Sequence, residues 1–329
     1  MEFSELVKLA GGFVEARAIQ AAQELGVFEA LKNSRDASDV AAAIRCDPRA
    51  TEILLNALVS IGLLTKQHSV YFLGETASTY LLKDAPKYLG GMIQFDSSLW
   101  NRWSELEMAV RSGKPARAPD MYQSDPQETA RFIEAMDSLV RARGDADMLA
   151  GMLDLSEVGE LLDVGSGPAT YPISFCRKYP ALCATIFDLP ATLAVTKRFV
   201  DASGVGDRIA LIAGDYRSDP IPGTYQLAFL SNIIHAESSE ENERLTAKLY
   251  GCLDRDGAVI VKDHILDDSR TQPSAGALFA LLMLLTTERG RCYSFAEVKS
   301  WLEKAGFQRV HELPLSPPLT SSLVIGMKP

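Results

Sequence analysis

The apolar positions of this chain change their rhythm near residue 160. Before it the spacing is helical: Phe13, Ala16, Ile19, Ala22 and Leu25 recur at three- and four-residue intervals and stop at Gly26, predicting a helix within 12–31. Ser38 is the expected cap of a second helix carrying Val40, Ala43 and Ile44, and Asp47-Pro48 opens a third that ends at Gly62. Leu63 to Leu73 reads as two short strands about Gln67-His68-Ser69, so the front is expected to be a winged-helix unit. Residues 86–155 read as helical in two pieces, separated by a proline-rich loop from Lys114 to Pro126. Trp100, Trp103 and Leu106 share one helix face, and Phe132, Met136 and Leu139 another. Such stripes belong to a core or to the roof of a pocket.

After residue 160 short apolar runs alternate with helical stretches. Strands are expected at 161–164, 184–188, 209–213, 226–234 and 257–262, with helices at 171–179, 191–203 and 239–253. Leu227-Ala228-Phe229-Leu230 and Ala258-Val259-Ile260-Val261 lack polar alternation, as parallel strands covered on both faces do. Phe307 to Leu315 and Ser321 to Met327 are two final strands, and the link from Pro314 to Thr320 is too short for a crossover helix. They are expected to form an antiparallel hairpin, closing a parallel sheet with one antiparallel edge strand. The expected division is 1–90, 91–155 and 156–329.

Composition narrows the function. A net charge of −10 with no basic run argues against a nucleic-acid or anionic-membrane partner. Residues 1–90 hold nine Lys/Arg against eleven Asp/Glu, so a DNA-reading winged helix is opposed and a dimerisation role favoured. Five cysteines without a Cys-x-x-Cys pair indicate neither a zinc site nor a disulfide framework. The acidic start and the lack of an apolar run of ~18 residues lead to the expectation of a cytoplasmic protein.

Candidate chemistry centres on Leu161-Leu162-Asp163-Val164-Gly165-Ser166-Gly167-Pro168-Ala169-Thr170. An apolar strand ends in two glycines before a helix, the turn that lets a nucleoside ligand approach the backbone closely. The dinucleotide fingerprint wants glycine at its sixth position, which is Thr170 here. Twenty-one residues past Gly167, Asp188 ends the run Ala184 to Phe187, where a carboxylate can accept from ribose hydroxyls of either a nicotinamide dinucleotide or a methyl donor. His235 follows the apolar run 226–234, beside the crevice where such sheets bind ligands.

Leu-Gly-Val-Phe-Glu-Ala-Leu (25–31), the glycine turn, Phe-Asp-Leu-Pro (187–190), Gly-Asp-Tyr (214–216), Ser-Asn-Ile-Ile-His (231–235) and Gly-Arg-Cys-Tyr-Ser-Phe-Ala-Glu-Val (290–298) together carry a family resemblance. The chain resembles, over nearly its whole length, the S-adenosylmethionine-dependent small-molecule O-methyltransferases of the caffeic acid and hydroxyindole (acetylserotonin) type, especially their bacterial branch. The fold this implies is α/β: a Rossmann-like class I methyltransferase sheet plus an N-terminal, mostly α winged-helix dimerisation domain. The implied cofactor is S-adenosyl-L-methionine, with S-adenosyl-L-homocysteine as product and no metal. Gly165 and Gly167 would pass its methionine part, Asp188 and Leu189 would hold ribose and adenine, and Asp215 and Tyr216 would bracket the adenine. The family's frequent lysine on the fourth strand is Ser231 here, and its usual third glycine is Ala169.

In that family the histidine at position 235 is the general base. A neutral imidazole is suited to take a phenol proton at neutral pH, and Asp263 matches the acid that steadies it. A second supporting acid falls at Cys292, leaving Glu288 as the nearby candidate; His264 is read as structural. Phe132, Met136, Phe279 and Met283 match pocket-lining positions and suit a flat aromatic acceptor. The resemblance implies a homodimer formed through residues 1–90. Four alternatives stay open: a carbon or nitrogen methyltransferase, a relative that decarboxylates or hydroxylates instead, an NAD-dependent dehydrogenase, and a winged-helix regulator.

Overall fold

The computed structural model describes residues 1–315 and 319–329. The chain divides into two compact units, Met1–Trp100 with Glu134–Ala142, and Asn101–Ile133 with Arg143–Pro329.

The first unit is built on helices Phe3–Gly11, Phe13–Leu25, Ala37–Ile44 and Pro48–Ser60 and on the paired strands Leu64–Gln67 and Val70–Leu73. Its core gathers Ala22, Val27, Phe28, Leu31, Val40, Leu55, Leu58, Leu64 and Tyr71. The third helix opens as expected, with Asp47 accepting from the Ala50 N–H and Pro48 in its first turn. The helix before it is capped not by Ser38 but by Asp36, whose carboxylate accepts from the Asp39 N–H. A carboxylate at an N-cap also meets the positive end of the helix dipole, so the acid two residues upstream outcompetes the hydroxyl.

The second unit carries a seven-stranded sheet: β1 (Glu160–Val164), β2 (Cys183–Asp188), β3 (Ile209–Ala213), β4 (Tyr225–Ser231), β5 (Leu253–Asp263), β6 (Gln308–Pro314) and β7 (Ser322–Met327). Their order across the sheet is β6-β7-β5-β4-β1-β2-β3. Strands β1 to β5 are mutually parallel where they pair. The final hairpin forms, but its reversed member β7 stands one place in from the edge, paired antiparallel to both β5 and β6. The chain leaves β5 through a long helical excursion and returns in β6 at the margin, so only β7 can fill the gap beside β5. Of the linking stretch Pro314 to Thr320, residues 316–318 lie outside the described residues.

Helices α1 (Thr170–Lys178), α2 (Pro190–Asp201), α3 (Ser239–Cys252), α4 (Ser274–Thr286) and α5 (Phe295–Ala305) accompany the strands. One sheet face presents Leu162, Val164, Ala228, Leu230, Val259 and Val261 to Leu245 and Leu249 of α3 and Val298, Trp301 and Leu302 of α5. On the other, Tyr171 and Phe175 of α1 each stand 5.4 Å from the Phe229 ring. Burial on both faces explains the unbroken apolar runs of β4 and β5. Strand order reverses around β1, with β4 on one side and β2 on the other. That is where an open α/β sheet leaves a crevice at its carboxyl ends.

Candidate active site

The glycine turn leaves β1 at this crevice. Gly165 has φ +67° and Gly167 φ +60°, in the left-handed region that side chains disfavour. A Cβ on Gly165 would also stand 2.3 Å from Ile233 Cδ1. Ala169, where the family has its third glycine, keeps the glycine-like conformation at φ +62° and caps α1. An alanine held there costs roughly 1–2 kcal/mol relative to glycine, and its buried methyl offsets part of that.

Asp188 ends β2 and is buried. It accepts from the Gly167 N–H at 2.9 Å and from the Leu189 N–H at 2.7 Å, so the turn and the strand tip are locked together. Helix α2 begins after Leu189 with no side-chain cap, so Asp188 is not spent as a capping residue. Burial pushes its carboxyl up to about 6, and the two N–H groups restrain the rise. It is therefore ionised at neutral pH with lone pairs left over for hydroxyl donors. Asp215 is clamped by Arg217, whose Nε and Nη2 reach its oxygens at 3.0 and 2.9 Å. Burial works against the Asp215 charge, but the guanidinium wins and holds the carboxyl below its ordinary range. Tyr216 donates its hydroxyl to Glu237 Oε1 at 2.6 Å, so the residue after the histidine turn fixes the ring in place. Ser231 is half-buried at the end of β4 and accepts from Asn232 Nδ2.

Strand β4 stops at Ser231, earlier than the apolar run suggested. Asn232 takes φ +59° and gives its N–H to the Lys262 carbonyl, and Ile234–Ala236 form a 3-10 turn. The apolar residues Ile233, half-buried, and Ile234, buried, are covered at the turn and not within the sheet, which is why hydrophobicity overran the strand end. His235 thus sits on a short turn, pinned by three contacts. Its Nδ1 lies 2.8 Å from Asp263 Oδ1, at the tip of β5. Phe279 of α4 packs edge-on against the imidazole at 4.9 Å. Gly290 lies against its backbone, where a Cβ would come within 2.3 Å of the His235 carbonyl oxygen.

Asp263 is fully enclosed, and Oδ1 also accepts from the His264 N–H at 2.7 Å. Burial opposes its charge, yet His235 and His264 hold the carboxyl below its ordinary range. An ionised Asp263 accepts the Nδ1 proton, which fixes the tautomer and leaves His235 Nε2 with its lone pair. His264 bonds the Thr320 carbonyl through Nδ1 and burial pulls it down to about 4, so it stays neutral. Cys292 is buried, and burial with the nearby Asp263 charge pushes its thiol up to about 12. It supplies no second carboxylate, and Glu288 is exposed. Met283 is buried on α4 one turn beyond Phe279. Phe132 stacks on Tyr122 at 4.5 Å, and Met136 is half-buried in the first unit.

Gly290, Glu237 and Lys262 are residues that reading the chain alone did not single out. Gly290 stands within a quoted motif, but only the fold shows that the motif buttresses His235. Replacing Gly290 by alanine forces backbone apart at His235; kcat is expected to fall about 10²-fold and the melting temperature to drop, read by steady-state kinetics and thermal melts.

Comparison with known proteins agrees with this geometry. Residues 103–308 match the O-methyltransferase domain, and residues 7–83 the O-methyltransferase dimerisation domain. The 3-hydroxy-5-methyl-1-naphthoate 3-O-methyltransferase of Streptomyces sahachiroi is 32% identical, over 98% of this chain and 94% of that protein. The tetracenomycin polyketide synthesis 8-O-methyl transferase of Streptomyces glaucescens is 31% identical, over 99% and 96%. Human N-acetylserotonin methyltransferase, solved in complex with SAM, superposes with a TM-score of 0.89 at 25% identity, covering 99% of this chain and 97% of that one. A parallel sheet with a glycine turn, an acid at the next strand tip and a histidine–aspartate pair across the crevice thus occurs here in a chain that belongs to the S-adenosylmethionine-dependent O-methyltransferase family.

Proposed function

We propose that this enzyme methylates a hydroxyl of a small aromatic acceptor, with His235 as general base. The observation that carries this reading is the 2.8 Å bond from Asp263 to His235 Nδ1, which leaves Nε2 as the proton acceptor. Gly165 and Gly167 pass the methionine part of the cofactor, Asp188 and Leu189 hold its ribose side, Asp215 and Tyr216 bracket the adenine, and Ser231 is a further cofactor contact at the end of β4. The two left-handed glycines and the free lone pairs of Asp188 fit such a nucleoside. The cofactor's sulfonium supplies the methyl group. His235 Nε2 takes the hydroxyl proton as the oxygen becomes nucleophilic, and the buried Asp263 steadies the imidazolium that forms. Alignment of the acceptor oxygen supplies most of the remaining rate.

An aromatic acceptor is supported by Phe279, packed on the histidine, and by the apolar Met283 one turn further along α4. The similar enzymes are themselves named for aromatic hydroxyl substrates. A homodimer through residues 1–90 is supported by the helix Phe3–Gly11, which buries none of its residues and leaves Phe3 83% and Leu9 68% exposed. An apolar face of that kind needs a partner to leave water.

The test is a panel of phenols, naphthols and hydroxyindoles offered with S-adenosylmethionine, each beside its amine, thiol and ring-blocked counterpart. Products gaining one methyl on oxygen, and S-adenosylhomocysteine in equal amount, are expected. Transfer to carbon or nitrogen alone, or to aliphatic alcohols alone, would overturn the reading.

A further inference from the structure

The short turn that carries His235 ends in a buried acid. Glu237 is 5% exposed, and its Oε1 accepts from the Tyr216 hydroxyl at 2.6 Å. A carboxylate taken out of water costs stability unless it is paired, and an apolar residue would fill the same space without that cost. Burial lifts the Glu237 carboxyl above its ordinary range, while the Tyr216 hydroxyl and the Arg217 guanidinium hold the rise back. Both of those groups stand on the loop that follows β3, where Arg217 also clamps Asp215.

That loop is bonded into one piece. Asp219 accepts from the Asp215 N–H through its carboxylate at 2.8 Å and returns its own N–H to the Asp215 carbonyl at 2.7 Å. Lys248 of α3 donates to the carbonyls of Tyr216, Arg217 and Asp219 at 2.8, 3.2 and 2.9 Å. The histidine turn is anchored to its surroundings through backbone: buried Asn242 of α3 donates to the Ile234 carbonyl at 2.9 Å, and the Tyr293 hydroxyl to the Glu237 carbonyl at 2.6 Å. The Glu237 carboxylate then joins this turn to the β3 loop. The glycine turn meets both at the same place, for a Cβ on Gly165 would stand 2.3 Å from Ile233 Cδ1 and 4.0 Å from Tyr216 Cε1. Three loops from three strand ends share one junction, and the Tyr216–Glu237 bond crosses it.

We infer that Glu237 is a positioning residue for methyl transfer: by holding the Tyr216 hydroxyl it sets the His235 turn against the loop that brackets the adenine, keeping base and cofactor in register. The inference rests on the cofactor and base reading above and adds a residue that touches neither cofactor nor acceptor. In-line transfer needs the methyl group, the acceptor oxygen and His235 Nε2 in one arrangement, and a misplacement of ~1 Å can cost about 10²-fold. With His235 two residues away on the same turn, a change at Glu237 reaches the imidazole directly.

The test is a double-mutant cycle on the full chain, using a phenol that the native enzyme methylates. Its readouts are kcat at saturating S-adenosylmethionine and phenol, and the melting temperature. Tyr216→Phe and Glu237→Leu each remove the bond and are expected to lower kcat about tenfold or more. The double variant is expected to fall no further than the worse single, because the bond is already gone. Glu237→Gln keeps an oxygen that accepts from the hydroxyl and is expected to stay within about threefold of the native kcat. Single variants that melt earlier yet keep kcat within about threefold would reduce the bond to a brace of the fold and overturn the inference. Multiplying losses in the double variant would overturn it too, since the two side chains would then act independently. Should Glu237→Leu not fold, Tyr216→Phe beside Glu237→Gln decides: loss in the first with retention in the second supports the role, and any other pairing overturns it. A native protein that binds no S-adenosylhomocysteine or methylates no phenol overturns the reading beneath the inference, and shows this before any variant is made.

Discussion

Replacing His235 by alanine is expected to lower kcat by about 10²–10⁴-fold while the affinity for S-adenosylhomocysteine stays within twofold. The reasoning is local. The Asp263 bond to Nδ1 leaves His235 Nε2 with a lone pair, and the proposed ribose contact Asp188 is held by the Gly167 N–H with no bond to the imidazole. Without the base, a phenol of pKa near ~10 must lose its proton to solvent, so the residual rate should climb with pH as the phenolate fraction grows. Rate–pH profiles of the native and variant enzymes against phenols of graded acidity check both points. A variant that loses cofactor affinity in step with kcat would make His235 a structural residue.

The second large effect falls on Asp188. Asp188→Ala is expected to weaken S-adenosylhomocysteine binding by about 10²-fold or more, since it removes the charge-assisted ribose contacts proposed for this carboxylate and also frees the Gly167 and Leu189 N–H groups. The pH dependence has a definite sign. Burial raises this carboxyl to about 6, so it is ionised above that pH and protonated below it. Ribose hydroxyls donate to the charged form, so affinity should hold from pH 7 to 8 and fall as pH drops through about 6. Asp188→Asn, which cannot titrate, should lose that slope along with most of the affinity. Calorimetric titrations across pH 5–8 measure both. An unchanged slope in Asp188→Asn would assign the titration to another group.

Asp188 and Asp263 show how differently one residue type behaves at two strand tips. Both are enclosed, and burial raises both. Asp188 meets only backbone N–H groups and stays high, where it can answer to pH and to ligand hydroxyls. Asp263 meets the His235 imidazole and the His264 N–H and is drawn low, where it remains a fixed anion behind the histidine. The proposed division of labour between cofactor holding and base support rests on these neighbours.

Much of this was legible along the chain, because it depends on local rules. Unbroken apolar runs mark doubly covered strands, Asp47-Pro48 and Gly62 bound a helix, and a short link forces the last two strands into a hairpin. The glycine turn, Asp188, His235 and Asp263 were readable because each stands at a strand tip, and the sheet gathers its tips at one end. Tertiary structure alone decided the rest. The end of β4 at Ser231 depends on an Asn232 conformation that hydrophobicity does not record, and the place of β7 depends on which gap its neighbours leave open. Gly290 against His235, Glu237 beneath Tyr216 and Lys262 facing Asp145 join residues 55, 21 and 117 positions apart. Periodicity reports which face a residue takes on its own element, but the meeting of two faces is set by packing, and no spacing along the chain encodes it.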